Sequence, residues 1–214
     1  GKLSKRDGDR LGFPVFAMEW HDPQTGEITK GFKELGFLPE AFLNMLAMLG
    51  WNPGTEKEII SPEEMIAAFS VERVHKAGAK FDFEKAKWFN QEWIKKLPVT
   101  NYLPRVKEIF ETKGITICDD EYFARVLSLV KERCTLLTDF YDQAVFFYTP
   151  PSAYDEASVK PKWDAGKNEY FTALLSQYNN MPEWTTEAIE TAFKNLATEK
   201  NIKPGELQMI LRVM

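Results

Sequence analysis

The chain has 214 residues, of which 44% are hydrophobic and 28% are charged, and its formal net charge is −5 at pH 7. This composition is typical of a globular protein with one or two domains and excludes an intrinsically disordered chain. No apolar run reaches the roughly 18 residues of a transmembrane helix, no signal-peptide pattern opens the chain, and the net negative charge argues against a protein whose whole surface binds nucleic acid.

The cysteines and histidines form no metal-binding pattern. Cys118 and Cys134 are too far apart in sequence for a metal-type pair, and His21 and His75 bring no further ligands near them. We therefore expect no metal site and no disulfide bond, and we expect a protein of the reducing cytoplasm.

The first elements predicted are a small β-hairpin and a helix. An aromatic-rich run over residues 13–20 precedes a turn signal at residues 22–26, which predicts the hairpin. Apolar residues at helical spacing predict a helix over residues 38–49, with Pro39 in its first turn and Gly50 ending it in the left-handed conformation.

Capping patterns predict the next two helices. Ser61 and Glu64 match a capping box for a helix through Phe69. Asp82 is the expected cap of a helix over residues 83–96, which Pro98 follows.

The rest of the chain is predicted to be helical. Helices are expected over residues 100–114 with Thr100 as cap, from Asp119 or Asp120 to about Arg133, and over residues 137–148. Short loops between helices of this length predict an antiparallel bundle. After a proline-rich break at residues 149–152 we expect helices over residues 163–178, over residues 186–200 with Thr185 as cap, and from Pro204 onward.

The clearest chemical motif lies at the start of the chain, in the sequence Lys2-Leu3-Ser4-Lys5-Arg6. Such a cationic loop can close on a polyphosphate, because ammonium and guanidinium groups stabilise charge that develops on phosphate oxygens. A solvated basic terminus is the alternative, since most charge clusters at a chain end face solvent.

This order of residues resembles the second signature loop of class I aminoacyl-tRNA synthetases, in the form found in glutamyl-tRNA synthetases. Leu3 replaces the commoner methionine and Arg6 replaces the commoner final serine, and both occur in that form of the motif. Three further segments resemble bacterial-type glutamyl-tRNA synthetase in the same order along the chain: residues 36–44 with 49–51, residues 69–74 with 81–90, and residues 187–196 with 202–205.

The resemblance implies a multidomain ligase that makes glutamyl-adenylate from glutamate and ATP and transfers the glutamate to tRNA(Glu). By their places in the motif, Lys2 and Lys5 are the expected catalytic lysines. The expected ATP-binding residues are Lys2, Ser4, Lys5 and Arg6, with magnesium accompanying the nucleotide.

No His-x-Gly-His motif and no alternating pattern of strands and helices precedes Lys2, and the chain stops at Met214 within a predicted helix. The resemblance therefore implies the C-terminal portion of such an enzyme, which is expected to be monomeric, to bind no cofactor and to be inactive alone. The glutamate and ATP sites would lie largely on the absent catalytic domain.

The resemblance also implies two regions of tRNA contact. Residues 73–107 are predominantly basic, which favours contact with the phosphate backbone. The residues expected to bind tRNA in this stretch are Arg73, Lys76, Lys80, Lys85, Lys87, Trp88 and Asn90. The alternatives are solvated faces for the lysines and core packing for Trp88.

Arg133 falls where this family is expected to have an anticodon-reading arginine. A guanidinium group can pair with a base edge and stack on an unpaired base. The alternative is an ordinary cation at the negative end of a helix dipole.

The expected fold is mainly α, with a small β-hairpin near the N-terminus. Residues 1–97 would form the loop and a helical stem-contact region, residues 98–150 a helical anticodon-binding subdomain, and residues 151–214 a second such subdomain. The helical second half disfavours a glutaminyl-tRNA synthetase, because the anticodon-binding part of that family is built from β-barrels. A non-catalytic helical RNA-binding or scaffold module stays open as the alternative, and the sequence does not decide whether tRNA(Gln) is also accepted.

Overall fold

The computed structural model describes residues 8, 10, 12–76, 78, 80–153 and 155–213. The predicted loop residues Lys2, Ser4, Lys5 and Arg6 lie outside them. The chain divides into two compact units, Gly1–Pro150 and Pro151–Met214. The division falls between two consecutive prolines, and a proline disfavours the α conformation in the residue before it.

The first unit contains the predicted hairpin. Strand β1 (Trp20–His21) pairs antiparallel with strand β2 (Ile28–Thr29). The turn between them is held by Asp22, whose Oδ1 accepts hydrogen bonds from the backbone nitrogens of Gln24 at 2.8 Å and Thr25 at 3.1 Å. An aspartate that bonds to the backbone two and three residues on is a common turn former, and the prediction is confirmed.

Seven helices of the described part of the first unit follow the hairpin. They are α1 (Phe32–Leu35), α2 (Pro39–Gly50), α3 (Pro62–Ala68), α4 (Phe83–Lys96), α5 (Leu103–Thr112), α6 (Asp120–Val130) and α7 (Asp139–Ala144). Short 3-10 turns lie at Val71–Arg73, Val99–Asn101, Lys131–Arg133 and Val145–Phe147.

Side-chain caps explain where three of these helices begin. Ser61 Oγ accepts from the backbone nitrogen of Glu64 at 3.2 Å, and Glu64 Oε2 accepts from the backbone nitrogen of Ser61 at 2.9 Å, so the capping box of α3 is confirmed. Oδ1 of Asp82 accepts a hydrogen bond of 3.1 Å from the backbone nitrogen three residues later and so caps α4. Oδ1 of Asp119 caps α6 through the equivalent bond of 2.9 Å.

Two predicted details are wrong. Gly50 is the last helical residue of α2, and Trp51, which follows it, has extended backbone (φ −150°). The helix therefore ends without a left-handed glycine. Thr100 caps no helix, because it lies inside a 3-10 turn, and α5 begins after Tyr102 without a side-chain cap.

The main apolar core of the first unit runs through α2, α4, α5, α6 and α7. Its buried residues extend from Leu38 and Ala41 to Ala144. This core includes residues on both sides of the expected boundary between residues 97 and 98, with Leu97 packed against it and Pro98 exposed. The expected boundary between a stem-contact region and an anticodon-binding subdomain therefore stays a prediction. A second cluster contains Phe32, Met45 and Phe89 and so joins α1, α2 and α4.

The second unit contains α8 (Glu156–Val159), a 3-10 turn (Lys160–Lys162), α9 (Ala165–Asn179), α10 (Thr186–Glu199) and α11 (Pro204–Val213). Thr185 caps α10 as predicted, at 3.2 Å from the backbone nitrogen of Ala188. Tyr170, Phe193 and Leu207 lie in its core, where the Tyr170 hydroxyl donates to the backbone oxygen of Phe193 at 2.8 Å.

The fold is mainly α with one small hairpin, as the sequence predicts. None of the helices in the described part of the chain combines the length and the apolar character of a membrane-spanning segment.

Candidate nucleic-acid interface

Lys85 lies in the first turn of α4, and its charge is balanced within the protein. Its Nζ lies 2.7 and 2.8 Å from the two carboxylate oxygens of Glu58. The same ammonium lies 4.0 Å from the centre of the Trp88 ring, a distance at which a cation is attracted to an aromatic face. An RNA phosphate would have to compete with Glu58 for Lys85, and a base would have to displace Lys85 to stack on that face of Trp88.

Trp88 itself is half-buried and belongs to the edge of the second cluster. Its ring meets Phe89 edge-on, with the ring centres 5.1 Å apart. This contact corresponds to the core-packing alternative, although part of the side chain stays accessible.

Lys87 forms an ion pair of 2.8 Å with Glu84, one turn earlier on α4. The carboxylate is mostly exposed, at 79% of its possible side-chain area. The Lys87 side chain is 29% exposed, and its ammonium also lies 5.4 Å from the centre of the Phe83 ring. A phosphate would therefore have to compete with Glu84 and Phe83 for Lys87.

Arg73, Lys76 and Lys80 lie on the exposed segment between α3 and α4. The Arg73 guanidinium donates to the backbone oxygen of Pro53 and packs over Gly54. Lys76 and Lys80 form no ion pair with the residues that the structure describes, so their ammonium groups are available to solvent or to a ligand.

Asn90 has a different role from the one expected. Its exposed fraction is 0%, and its amide oxygen accepts from the backbone nitrogen of Leu38 at 2.7 Å. Its amide nitrogen donates to the backbone oxygens of Thr135 at 2.6 Å and Gly36 at 3.4 Å. Because both ends of the amide are occupied inside the protein, Asn90 offers no group to RNA and has a structural role.

Arg133 is the last residue of the 3-10 turn that follows α6, and it is exposed. The other cation of this turn, Lys131, donates to the backbone oxygen of Lys95 at 2.9 Å and so caps the end of α4. Within the described ranges no hydrogen bond or ion pair engages Arg133. Its guanidinium group is therefore free to bind a ligand at this end of the bundle.

Arg105 belongs to the basic stretch 73–107, but the structure uses it internally. Its Nη1 donates to the backbone oxygen of Phe37 and its Nη2 to that of Lys33, both at 3.0 Å. Partial burial lowers the pKa of Arg105, and the neighbouring carboxylates of Glu34, Glu40 and Glu108 oppose that change. The structural role of Arg105 follows from its hydrogen bonds to backbone oxygens 68 and 72 positions earlier in the chain. A local sequence pattern does not contain these partners.

The two cysteines differ in exposure, since Cys118 is exposed and Cys134 is buried. Burial raises the pKa of the Cys134 thiol to about 12, so this cysteine is protonated at neutral pH and packs in the core. Among the described residues, no group of three or more histidine, cysteine, aspartate and glutamate side chains could hold a metal ion.

The described part of the chain is thus a helical protein with exposed cations on α4, on the segment before it and on the turn after α6. The chain belongs to the family described as anticodon binding domain, whose model matches residues 83–214. Residues 2–88 match a second model, described as the catalytic domain of class I tRNA synthetases (E and Q).

Individual relatives are more specific. The chain is 45% identical over 213 residues to the glutamate–tRNA ligase of Porphyromonas gingivalis, in an alignment that covers 100% of this chain and 42% of that protein. The chain therefore spans about two fifths of the length of the relatives that it matches.

Solved structures agree in fold. The crystal structure of a glutamate tRNA ligase from Elizabethkingia meningosepticum in complex with its amino acid has a TM-score of 0.89 at 40% identity and covers 99% of this chain and 42% of that chain. The glutamate–tRNA synthetase of Elizabethkingia anophelis has a TM-score of 0.85 at 41% identity, covering 99% and 41%.

Proposed function

We propose that these residues are the tRNA-binding portion of a glutamate–tRNA ligase, the enzyme that uses ATP to attach glutamate to tRNA(Glu). The observation that carries the proposal is the similarity to glutamate–tRNA ligases along the entire chain, at 45% identity over 213 residues. It includes both the segment that matches the catalytic-domain model and the segment that matches the anticodon-binding model.

Binding of tRNA would use two kinds of contact. Arg73, Lys76, Lys80, Lys85 and Lys87 would meet the phosphate backbone, which is an attraction that depends on salt and not on sequence, and Trp88 would pack beside them. Arg133 would contact the anticodon loop, where unpaired bases expose the edges that a guanidinium group can read. In support of this division, Arg133 lies in the anticodon-family match and the segment 73–80 lies in the catalytic-family match.

Lys2 and Lys5 would act as the catalytic lysines, and they would bind the ATP phosphates together with Ser4 and Arg6. Magnesium would enter with ATP as part of the substrate. The glutamate site and most of the ATP site would lie on the part of the relatives that this chain does not span, so no nucleotide is expected to bind tightly to these residues alone. The proposed setting is the cytoplasm and the proposed state is a monomer.

The test is titration of the chain with tRNA(Glu), with an unrelated tRNA and with the anticodon stem-loop of tRNA(Glu). We expect the Arg133→Ala substitution to weaken binding of the stem-loop by about 1 to 3 kcal/mol, the range for one good base contact. Arg125→Ala is the matched control, because Arg125 is an exposed arginine of the neighbouring helix α6. Equal affinities of the parent and the Arg133→Ala variant would overturn the anticodon role.

A second assay addresses the catalytic part of the proposal. The 214 residues should bind tRNA(Glu) without charging it when glutamate, ATP and magnesium are supplied. Formation of glutamyl-tRNA by this chain alone would contradict the proposal that the glutamate site and most of the ATP site lie outside these residues.

A further inference from the structure

The turn between α1 and α2 is bound to the segment that begins two residues after Arg133. The backbone nitrogen of Leu137 donates to the backbone oxygen of Gly36 at 2.9 Å. The Thr138 hydroxyl donates to the backbone oxygen of Leu35 at 3.1 Å. These bonds join a segment that matches the catalytic-domain model to one that matches the anticodon-binding model.

Asn90 is the side chain that connects the two segments to α4. Its amide nitrogen reaches the backbone oxygen of Thr135 at 2.6 Å and that of Gly36 at 3.4 Å, and its amide oxygen accepts from Leu38 at 2.7 Å. Since Asn90 and Leu38 are both buried, removing the Asn90 amide would leave the backbone nitrogen of Leu38 without its hydrogen-bond partner.

Helix α4 therefore fixes the Lys131–Arg133 turn on both sides. Before Arg133, Lys131 donates to the backbone oxygen of Lys95, near the end of α4. After Arg133, the Thr135 oxygen is held by Asn90, in the middle of the same helix. Cys134 between them is 0% exposed, so the chain is anchored in the core immediately after the arginine.

We propose that Asn90 is a positioning residue for RNA recognition: it holds the segment after Arg133 so that this guanidinium group keeps a defined place relative to α4 and to the turn between α1 and α2. The proposal rests on the RNA-binding role assigned to Arg133. Asn90 touches no RNA itself, and it acts through the backbone of Thr135.

Asn44 is a matched control for Asn90. It is also 0% exposed and also binds through both amide ends, to the backbone oxygen of Glu58 and to the backbone nitrogen of Ile60, each at 3.0 Å, and to Trp93 Nε1 at 3.0 Å. It has no hydrogen bond to residues 131–138 among those described. Both substitutions to alanine are expected to lower stability, but only one acts on the turn.

The first experiment needs no RNA. Amide hydrogen exchange is measured in the full chain for the parent, Asn90→Ala and Asn44→Ala, at a temperature where circular dichroism shows all three folded. The amides of Thr135 and Leu136 donate to Asp139 Oδ2 at 2.8 and 2.9 Å, and the amide of Leu137 donates to the Gly36 oxygen that Asn90 also binds. In Asn90→Ala these three amides should exchange about tenfold faster relative to those of α6, because the segment then opens locally together with its own Asp139 bonds. If Asn90→Ala does not fold, Asn90→Ser takes its place at a lower temperature. Unchanged relative protection at these amides would overturn the positioning role.

The second experiment is a double-mutant cycle with the anticodon stem-loop of tRNA(Glu) as the ligand. Asn90→Ala should weaken its binding about fivefold or more in the parent and have little effect when Arg133 is already alanine, because contacting or coupled residues are not additive. Asn44→Ala should have little effect in both backgrounds.

The outcomes separate the inference from the proposed function. If Arg133→Ala weakens binding and Asn90→Ala does not, the role of Asn90 is overturned and that of Arg133 stands. If Arg133→Ala has no effect, the RNA-binding role of Arg133 is overturned, and the exchange data alone decide whether Asn90 holds the turn.

Discussion

At Gly36, both the backbone conformation and the neighbouring backbone atoms favour glycine over any residue with a Cβ. Its φ is +97°, and a Cβ added there would lie 2.8 Å from the backbone nitrogens of both Leu137 and Thr138. For residues other than glycine, the left-handed conformation costs a moderate amount of free energy. At Gly36 there is also a steric cost, because the added Cβ would clash with backbone atoms, which cannot move aside as a flexible side chain can.

We predict that Gly36→Ala destabilises the protein far more than Gly114→Ala. Gly114 has a φ of +86° with no atom within 4 Å of the added Cβ, so its substitution should cost only the conformational term of about 1 to 2 kcal/mol. Gly36→Ala should cost a further 1 to 3 kcal/mol, roughly the penalty for overpacking. Urea denaturation of both variants measures the difference, and equal free energies of unfolding would contradict the steric argument.

At the scale of the helices, local sequence patterns predict where a helix begins better than they predict its tertiary contacts. Ser61, Asp82, Asp119 and Thr185 are each recognisable as caps from neighbouring residues, and each accepts the expected backbone hydrogen bond. A cap involves residues within one turn, so the sequence contains all of its partners. Thr100 shows the limit, because a capping residue type does not prevent a 3-10 turn from forming in its place.

The candidate site depends on contacts that no local pattern contains. Asn90 lies 45 positions from Thr135 and Lys85 lies 27 positions from Glu58, and tertiary packing alone brings these partners together. For this reason the sequence identifies Asn90 and Lys85 as notable residues, but it assigns Asn90 to RNA contact and does not anticipate the carboxylate that balances Lys85.

Helix α9 offers a prediction that depends on pH. Its cap, Asp164, has a lowered pKa because the Lys167 ammonium bonds to its carboxylate at 2.7 Å and the backbone nitrogen of Lys167 bonds to it at 2.9 Å. A lowered carboxyl pKa contributes stability above the ordinary value of 3.8, and this contribution is lost as the pH falls through the lowered pKa.

We therefore expect Asp164→Asn to lower the thermal midpoint of the second unit at pH 6, since asparagine keeps the cap but loses the charge. The difference from the parent should shrink as the pH is lowered toward 3. Thermal unfolding followed by circular dichroism at several pH values measures it. A difference that is the same at pH 6 and at pH 3 would show that the ion pair with Lys167 contributes nothing.

At the scale of the whole molecule, the proposed attraction to RNA comes from a local excess of positive charge on a chain of net charge −5. Charge distribution, not the sum, decides whether a phosphate backbone is attracted. Because the Lys85 charge is balanced by Glu58 and Lys87 is paired with Glu84, the lysines without such partners in the described structure should contribute most.

We predict that the double substitution Lys76→Gln and Lys80→Gln weakens the binding of all tRNAs alike. The magnitude of the slope of log affinity against log salt concentration should fall by about 1 to 2, roughly one for each phosphate that is no longer neutralised. The matched control is Lys160→Gln with Lys194→Gln, because both of these exposed lysines are paired with a glutamate one turn earlier. Filter binding at a series of salt concentrations gives the slopes. An unchanged slope in the first variant would assign Lys76 and Lys80 to solvated surface.

The two compact units differ in how much apolar surface each can bury. The described residues of the first unit form two clusters, with large side chains such as Tyr102, Phe110 and Phe123 completely buried. The second unit is much shorter, and its described residues form one small cluster around Tyr170 and Phe193. The fraction of its surface that a chain buries on folding rises with its length. We therefore expect residues 1–150 produced alone to unfold cooperatively, within about 5 °C of the midpoint of the same unit in the whole chain, and we expect residues 151–214 alone to be marginally stable. Calorimetry of both pieces tests this, and non-cooperative unfolding of residues 1–150 would mean that the first unit needs the second to complete its fold.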